Sequence, residues 1–97
     1  MPKARAGHTA TVHGNKIILF GGGDGDNYLN DVHMFDTDKL VWKTVFTAGT
    51  SPSPRSRHSA TLVNHQLFVL AGGNDSCIFN DLYVFDTESS VWTKPTT

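Results

Sequence analysis

Shifted by fifty residues, the chain lies on itself without a gap. Residues 1–47 and 51–97 share 15 identities over 47 aligned positions, among them Arg5/Arg55, His8/His58, Gly22/Gly72, Asn30/Asn80, Asp31/Asp81, Phe35/Phe85, Asp36/Asp86 and Trp42/Trp92. Many of the other pairs are alike in kind, such as Ile17/Leu67 and Leu19/Val69. A period of this length implies one supersecondary unit built twice. Any fold proposed for one copy must hold for the other. We expect a first repeat at 1–47, a linker at 48–55 and a second repeat at 56–97.

Each copy reads as four short strands. In the first they run at about His8–His13, Lys16–Gly21, Asp31–Asp36 and Val41–Phe46. In the second they are His58–Val63, Gln66–Ala71, Asp81–Asp86 and Val91–Lys94. β-Branched and aromatic residues fill these runs, while Gly, Asn, Asp, Ser and Pro fill the gaps. No segment sustains a 3.6-residue period, so no helix is expected. The connections Gly14-Asn15 and Asn64-His65 are hairpin-sized, which makes each copy an up-down meander. The second strands, Ile17–Phe20 and Leu67–Leu70, are apolar at every position, so both of their faces require cover. A small antiparallel sheet covered on both sides by copies of itself is a propeller blade. The expected class is all-β, with two four-stranded antiparallel meanders.

The same features fall in the same order twice. The first copy has Arg5-Ala6-Gly7-His8, Phe20-Gly21-Gly22, Asn30-Asp31, Phe35-Asp36 and Trp42; the second has Arg55-Ser56-Arg57-His58, Leu70-Ala71-Gly72, Asn80-Asp81, Phe85-Asp86 and Trp92. This pattern resembles the kelch repeats over nearly the whole chain. Ile18 departs from it where an aromatic is common, and Ala71 replaces the first glycine of the doublet. The resemblance implies a kelch-type β-propeller acting as a protein–protein interaction scaffold without catalysis of its own. A rival reading is a piece of a kelch-propeller enzyme of the oxidase or epimerase type. Such rings close with about six blades, and two blades leave apolar faces uncovered. Either further blades lie in a longer parent chain, or three copies close a six-bladed ring head to tail, a homo-oligomer with no necessary ligand.

Composition removes other classes. A formal charge of −1 gives no footprint for nucleic acid or an anionic membrane. No apolar run approaches the roughly 18 residues of a membrane span. Cys77 is the single cysteine, which excludes an internal disulfide and points to the cytoplasm, with the nucleus as the alternative. The partners expected are other proteins, with no cofactor and no metal.

Strand direction places the long loops. Gly22–Asn30, Phe46–Pro54 and Gly72–Asn80 follow second and fourth strands, so all three lie at one end, where binding residues are expected. The candidates are Asp24, Asp26, Asn27, Tyr28 and Leu29 with Asn74, Asp75, Ser76, Cys77, Ile78 and Phe79. The competing view is that these loops are merely tolerant, with Leu29 and Phe79 tucked under the sheet. The glycine clusters are followed by neither a Lys nor a helix, which excludes a phosphate loop. Asp24-Gly25-Asp26-Asn27 with Asn30 and Asp31 offers oxygens to calcium but lacks the EF-hand spacing. Tyr28, Tyr83, Cys77 and the histidines do not match the spacing of the copper radical site found in one kelch-containing enzyme class.

The remaining repeated residues read as architecture. His8 and His58 are expected to make a structural hydrogen bond inside each blade, and His13, His33 and His65 to sit at turns or edges. Arg5, Arg55, Asp36 and Asp86 should form ion pairs or turn hydrogen bonds. Trp42 and Trp92 should pack toward a neighbouring blade, each with a partner for its Nε1–H. Gly21 and Ala71 read as a position needing smallness, with Gly22 and Gly72 making the bend. Ser51-Pro52-Ser53-Pro54 reads as an exposed linker suited to proline-directed phosphorylation.

Overall fold

A computed structural model describes residues 5–74 and 77–95. Strands β1 (Thr9–His13), β2 (Lys16–Gly23), β3 (Tyr28–Asp36) and β4 (Val41–Val45) form a four-stranded meander in that order. The second sheet contains β6 (Ser59–Val63), β7 (Gln66–Leu70), β8 (Leu82–Asp86) and β9 (Val91–Thr93) as the same meander. To it the connecting segment adds β5 (Ala48–Gly49), which pairs in parallel with β9. The fold is all-β, two four-stranded antiparallel meanders, as expected from the sequence. Phe46 and Lys94 fall just beyond the fourth strands to which they were assigned. β2 and β3 instead run on through Gly22↔Leu29 and Gly23↔Tyr28 past a bulge, so part of the first long loop is a hairpin.

Register explains the double-faced apolar runs. Ile18↔Met34 and Phe20↔Val32 put one face of the first blade against the second. There they meet Leu67, Val69, Tyr83, Phe85 and Trp92, which share a face through Leu67↔Phe85, Val69↔Tyr83 and Phe85↔Trp92. The repeat equivalents of that second set are Ile17, Leu19, His33, Phe35 and Trp42, on the first blade's outward face. This offset accounts for the fate of the two tryptophans. Trp92 is 1% exposed and touches Phe20, Phe85 and Tyr83 at ring centroids of 5.1, 4.9 and 6.5 Å. Trp42 touches Phe35 at 5.0 Å and stays partly exposed, because its face has no blade against it. The buried Trp92 Nε1–H has no hydrogen-bond partner among the described residues, contrary to expectation.

The same offset separates the two histidines. His58 is buried, its Nε2 lies 2.9 Å from Thr9 Oγ1 of the first blade, and its ring stands edge-on to Phe20 at 4.9 Å. His58 therefore joins the blades rather than bracing one, and His8, with no blade against it among the described residues, is exposed. His33 is not at a turn or edge either. It is buried in the middle of β3, with Nε2 at 2.8 Å from Asp31 Oδ2 and Nδ1 at 3.3 Å from Thr44 Oγ1.

Burial, and then the nearby Arg55 guanidinium, push the His58 imidazole down from 6.5 to about 4. A base depressed in the folded state contributes stability that is complete above its unfolded pKa. That contribution is lost as pH falls from 6.5 through about 4. Between pH 7 and pH 4.5 the protein should lose about 2–3 kcal/mol through this group. Urea titrations at the two pH values will show it as a steeper loss in the wild type than in His58→Gln. His8→Gln should keep the wild-type slope; a flattened slope there would contradict the assignment.

Two further expectations fail on backbone geometry. Gly21 and Ala71 both have positive φ, 70° and 64°, as do Gly22 and Gly72 at 94° and 87°. The first doublet position thus requires the left-handed conformation after all, and Ala71 occupies it at a cost of about 1 kcal/mol. Smallness matters as well at Gly21, where a Cβ would come within 2.7 Å of His58 Cε1. The linker is also more than an exposed tether. Pro52 is fully buried, its carbonyl accepts Asn30 Nδ2–H at 3.0 Å, and Ser53 Oγ accepts Arg55 Nη2–H at 3.2 Å.

Candidate functional site

The loop end is built outward from one arginine per blade. Arg5 donates to Asp31 Oδ1 at 2.5 Å and Oδ2 at 3.1 Å, and to the Gly21 carbonyl at 3.1 Å. Arg55, fully buried, repeats this with Asp81 at 2.6 and 3.3 Å and the Ala71 carbonyl at 2.9 Å. The partners of the repeated arginines are therefore the aspartates of the Asn-Asp pairs. Asp36 and Asp86 serve instead as turn acceptors for the amides of residues 38 and 39, and of 88 and 89. The Arg55 hydrogen bond holds the Asp81 carboxyl below its usual range. At Asp31 burial works the other way and is outweighed by the bonds from Arg5 and His33, so that carboxyl too is lowered.

Arg55 also positions the rim. Its guanidinium stacks 4.1 Å from the Phe79 ring and 5.4 Å from Tyr83. Its backbone N–H donates to Leu29 at 3.1 Å and its carbonyl accepts from Gly22 at 2.8 Å. One residue thus fastens the end of the first blade to the loop of the second. Beyond it the two loops close by the same side-chain turn. Asp24 Oδ1 accepts the amides of Asp26 and Asn27 at 3.0 and 2.8 Å, and Asn74 Oδ1 accepts that of Cys77 at 2.9 Å. Asp24, one of the carboxylates offered to calcium in the sequence, is held by its own turn through Oδ1.

Between the loops lies an open cleft of about 610 Å³, whose lining includes Tyr28, Arg57, Asn74, Cys77, Ile78 and Phe79. A second hollow of about 320 Å³ adjoins it through Tyr28, Ser56 and Arg57 and carries Asp26 and Asn27. Seven of the candidates therefore come together: Asp26, Asn27, Tyr28, Asn74, Cys77, Ile78 and Phe79. Asp24 and Leu29 line neither hollow and turn to backbone roles, and Asp75 and Ser76 lie outside the described residues. Ile78, 96% exposed, crowns the cleft, and Phe46, 90% exposed, follows β4 in the third long connection.

Ser56 and Arg57 are the residues that sequence reasoning missed, having been read only as the middle of a structural motif. A signal was available. Arg57 has φ 58°, and its repeat equivalent is Gly7 at 71°. A long cationic side chain thus stands where the first copy has glycine, a difference between the copies that the sequence alone displays.

A family model described as the KLHDC2/KLHL20/DRC7 Kelch-repeats domain matches residues 1–97. A probable serine/threonine-protein kinase of Dictyostelium discoideum is 42% identical over 55 residues, 55% of this chain and 4% of that protein. Acyl-CoA-binding domain-containing protein 4 of Arabidopsis thaliana is 39% identical over 54 residues, 55% of this chain and 8% of that protein. Leucine-zipper-like transcriptional regulator 1 of Homo sapiens is 40% identical over 50 residues, 52% of this chain and 6% of that protein. The chain spans 4–8% of the length of these relatives. With the buried Arg–Asp pair, the glycine bend and the tryptophan recurring in order in each blade, the chain belongs to the kelch-repeat family.

Proposed function

We propose that the chain is part of a propeller scaffold that binds another protein through the loop rim, and that it performs no chemistry of its own. The observation that carries this is the cleft between the two loops, whose lining combines aromatic Tyr28 and Phe79 and exposed Ile78 with Arg57. Aromatic and apolar anchors together with arginine are enriched at protein-binding surfaces. The loops differ between copies while the frame beneath them is shared, so the rim varies independently of stability. Relatives named as a kinase, an acyl-CoA-binding protein and a transcriptional regulator carry similar stretches. A segment found beside such different activities suits an interaction module placed in the cytoplasm or nucleus.

The outward faces favour continuation of the propeller. Ile17, Leu19, Phe35 and Trp42 form the same surface that the second blade sets against the first. Phe68, Leu70, Leu82 and Val84 correspond to the face that receives it. Further blades, or three copies closing a ring head to tail, would cover both.

The test compares the two ends. With a partner identified by its binding to the wild-type chain, Tyr28→Ala/Ile78→Ala should weaken affinity at least roughly tenfold, as the loss of central anchors does. Val12→Ala/Leu40→Ala, at exposed positions away from the rim, should leave it unchanged. Binding that survives the first pair and falls with the second would sink the rim assignment.

A further inference from the structure

At the end of the second blade opposite the rim, two tight turns bring an imidazole and two carboxylates together. One ligand atom each from His65, Asp86 and Glu88 lie within 4.8 Å of one another. His65 Nε2 and Asp86 Oδ2 are 3.6 Å apart. The edge of a tetrahedron with ligands at zinc distances of 2.0–2.1 Å is about 3.3 Å, so this pair already spans one edge.

The groups are held there by the backbone. Thr87 donates both its N–H (2.9 Å) and its Oγ1–H (2.8 Å) to the His65 carbonyl, stapling the β6–β7 turn to the β8–β9 turn. Asp86 Oδ1 accepts the amides of Glu88 and Ser89, which fixes the carboxylate and leaves Oδ2 toward His65.

The first copy serves as an internal comparison. It has the same staple, from Thr37 to the Asn15 carbonyl, and the same aspartate turn at Asp36. There, however, Asn15 Nδ2 donates to Asp38 Oδ2 at 2.8 Å, and Lys16 Nζ lies 3.7 Å from Asp36 Oδ2. Both carboxylates are satisfied by donors, one of them a cation. In the second copy the two donors change at once: His65 stands for Asn15, and neutral Gln66 stands for Lys16. Glu88 extends the reach of Asp38 by one methylene. The exchanges turn a neutralised hydrogen-bonded turn into one imidazole and two anions without a lysine.

We propose that His65, Asp86 and Glu88 form a surface site for a divalent transition metal of the zinc type, with water completing the tetrahedron. Imidazole nitrogen favours zinc over calcium or magnesium, which prefer all-oxygen shells. Bound metal would bridge the two turns and raise the melting temperature of the full chain with zinc concentration.

Zinc chloride titrated into the full 97-residue chain at neutral pH, read by calorimetry and by the imidazole resonances, tests the site. The expected result is saturable binding of one zinc with the His65 resonances moving first. His65→Asn, which restores the residue of the first copy, should weaken binding at least roughly tenfold, and Glu88→Gln, at an exposed position, severalfold. No saturable binding in the wild type would overturn the proposal. So would binding that His65→Asn leaves within twofold, because the metal would then sit on another histidine.

Discussion

Trp92→Ala is expected to destabilise the chain by about 3–5 kcal/mol, and Trp42→Ala by about 1–2 kcal/mol. The residues are repeat equivalents with the same partner at their side, Phe85 or Phe35 at 4.9 or 5.0 Å. The difference lies in what the neighbouring blade supplies. Phe20 of the first blade closes over Trp92, so truncation opens a cavity between blades that neither sheet can collapse into. Trp42 already borders solvent, and water fills the space its ring leaves. Trp92→Phe sharpens the test. It keeps a ring against Phe20 and removes a buried N–H that has no acceptor, so its cost should fall well below that of alanine. Urea midpoints for the three variants decide the matter. Equal losses at the two tryptophans would mean that the blades do not pack as described. For a small domain stable by about 5–15 kcal/mol, Trp92→Ala takes a large share of the whole.

That asymmetry also marks where the sequence ceased to be legible. Strand number, meander order and blade class follow from period, alternation and turn residues, because those are local or depend on the offset of fifty. Equivalence was then extended too far. His8 and His58, or Trp42 and Trp92, are the same residue in the same strand, yet each looks across to a neighbour that only one of them has. A repeat in sequence carries no information about which of its two faces is covered in a chain of two units. Ala71 misled for a related reason. Its acceptance seemed to exclude positive φ, whereas the chain tolerates about 1 kcal/mol of strain there because both doublet positions must turn. At the rim, loop length and copy-to-copy difference pointed to Tyr28 and Ile78, which line one cleft. Arg57 was hidden inside a motif whose outer members, Arg55 and His58, are structural.

Asp81→Ala is expected to cost about 3–5 kcal/mol, more than Arg55→Met, although both break the same ion pair. The reason is which charge is stranded. The Arg55 side chain is wholly enclosed, whereas that of Asp81 keeps 20% of its surface. Among the described residues, removing the carboxylate leaves a guanidinium with the carbonyls of Ser53 and Ala71, the Ser53 hydroxyl and two aromatic rings around it. Neutral acceptors and π faces do not balance a full charge out of water. Removing the arginine instead frees a carboxylate that solvent reaches, and methionine fills much of the volume beside Phe79 and Tyr83. Denaturant titration of the two variants should therefore rank Asp81→Ala below Arg55→Met, and a reversed order would show that the guanidinium finds water. The consequence extends to the rim. Because Arg55 stacks on Phe79 and bonds Leu29 and Gly22 through its backbone, Asp81→Ala should loosen the cleft wall under conditions where the chain is still folded. Amide exchange at Phe79, whose N–H donates to the Gly72 carbonyl at 2.8 Å, should accelerate more than exchange at Phe85 in the core.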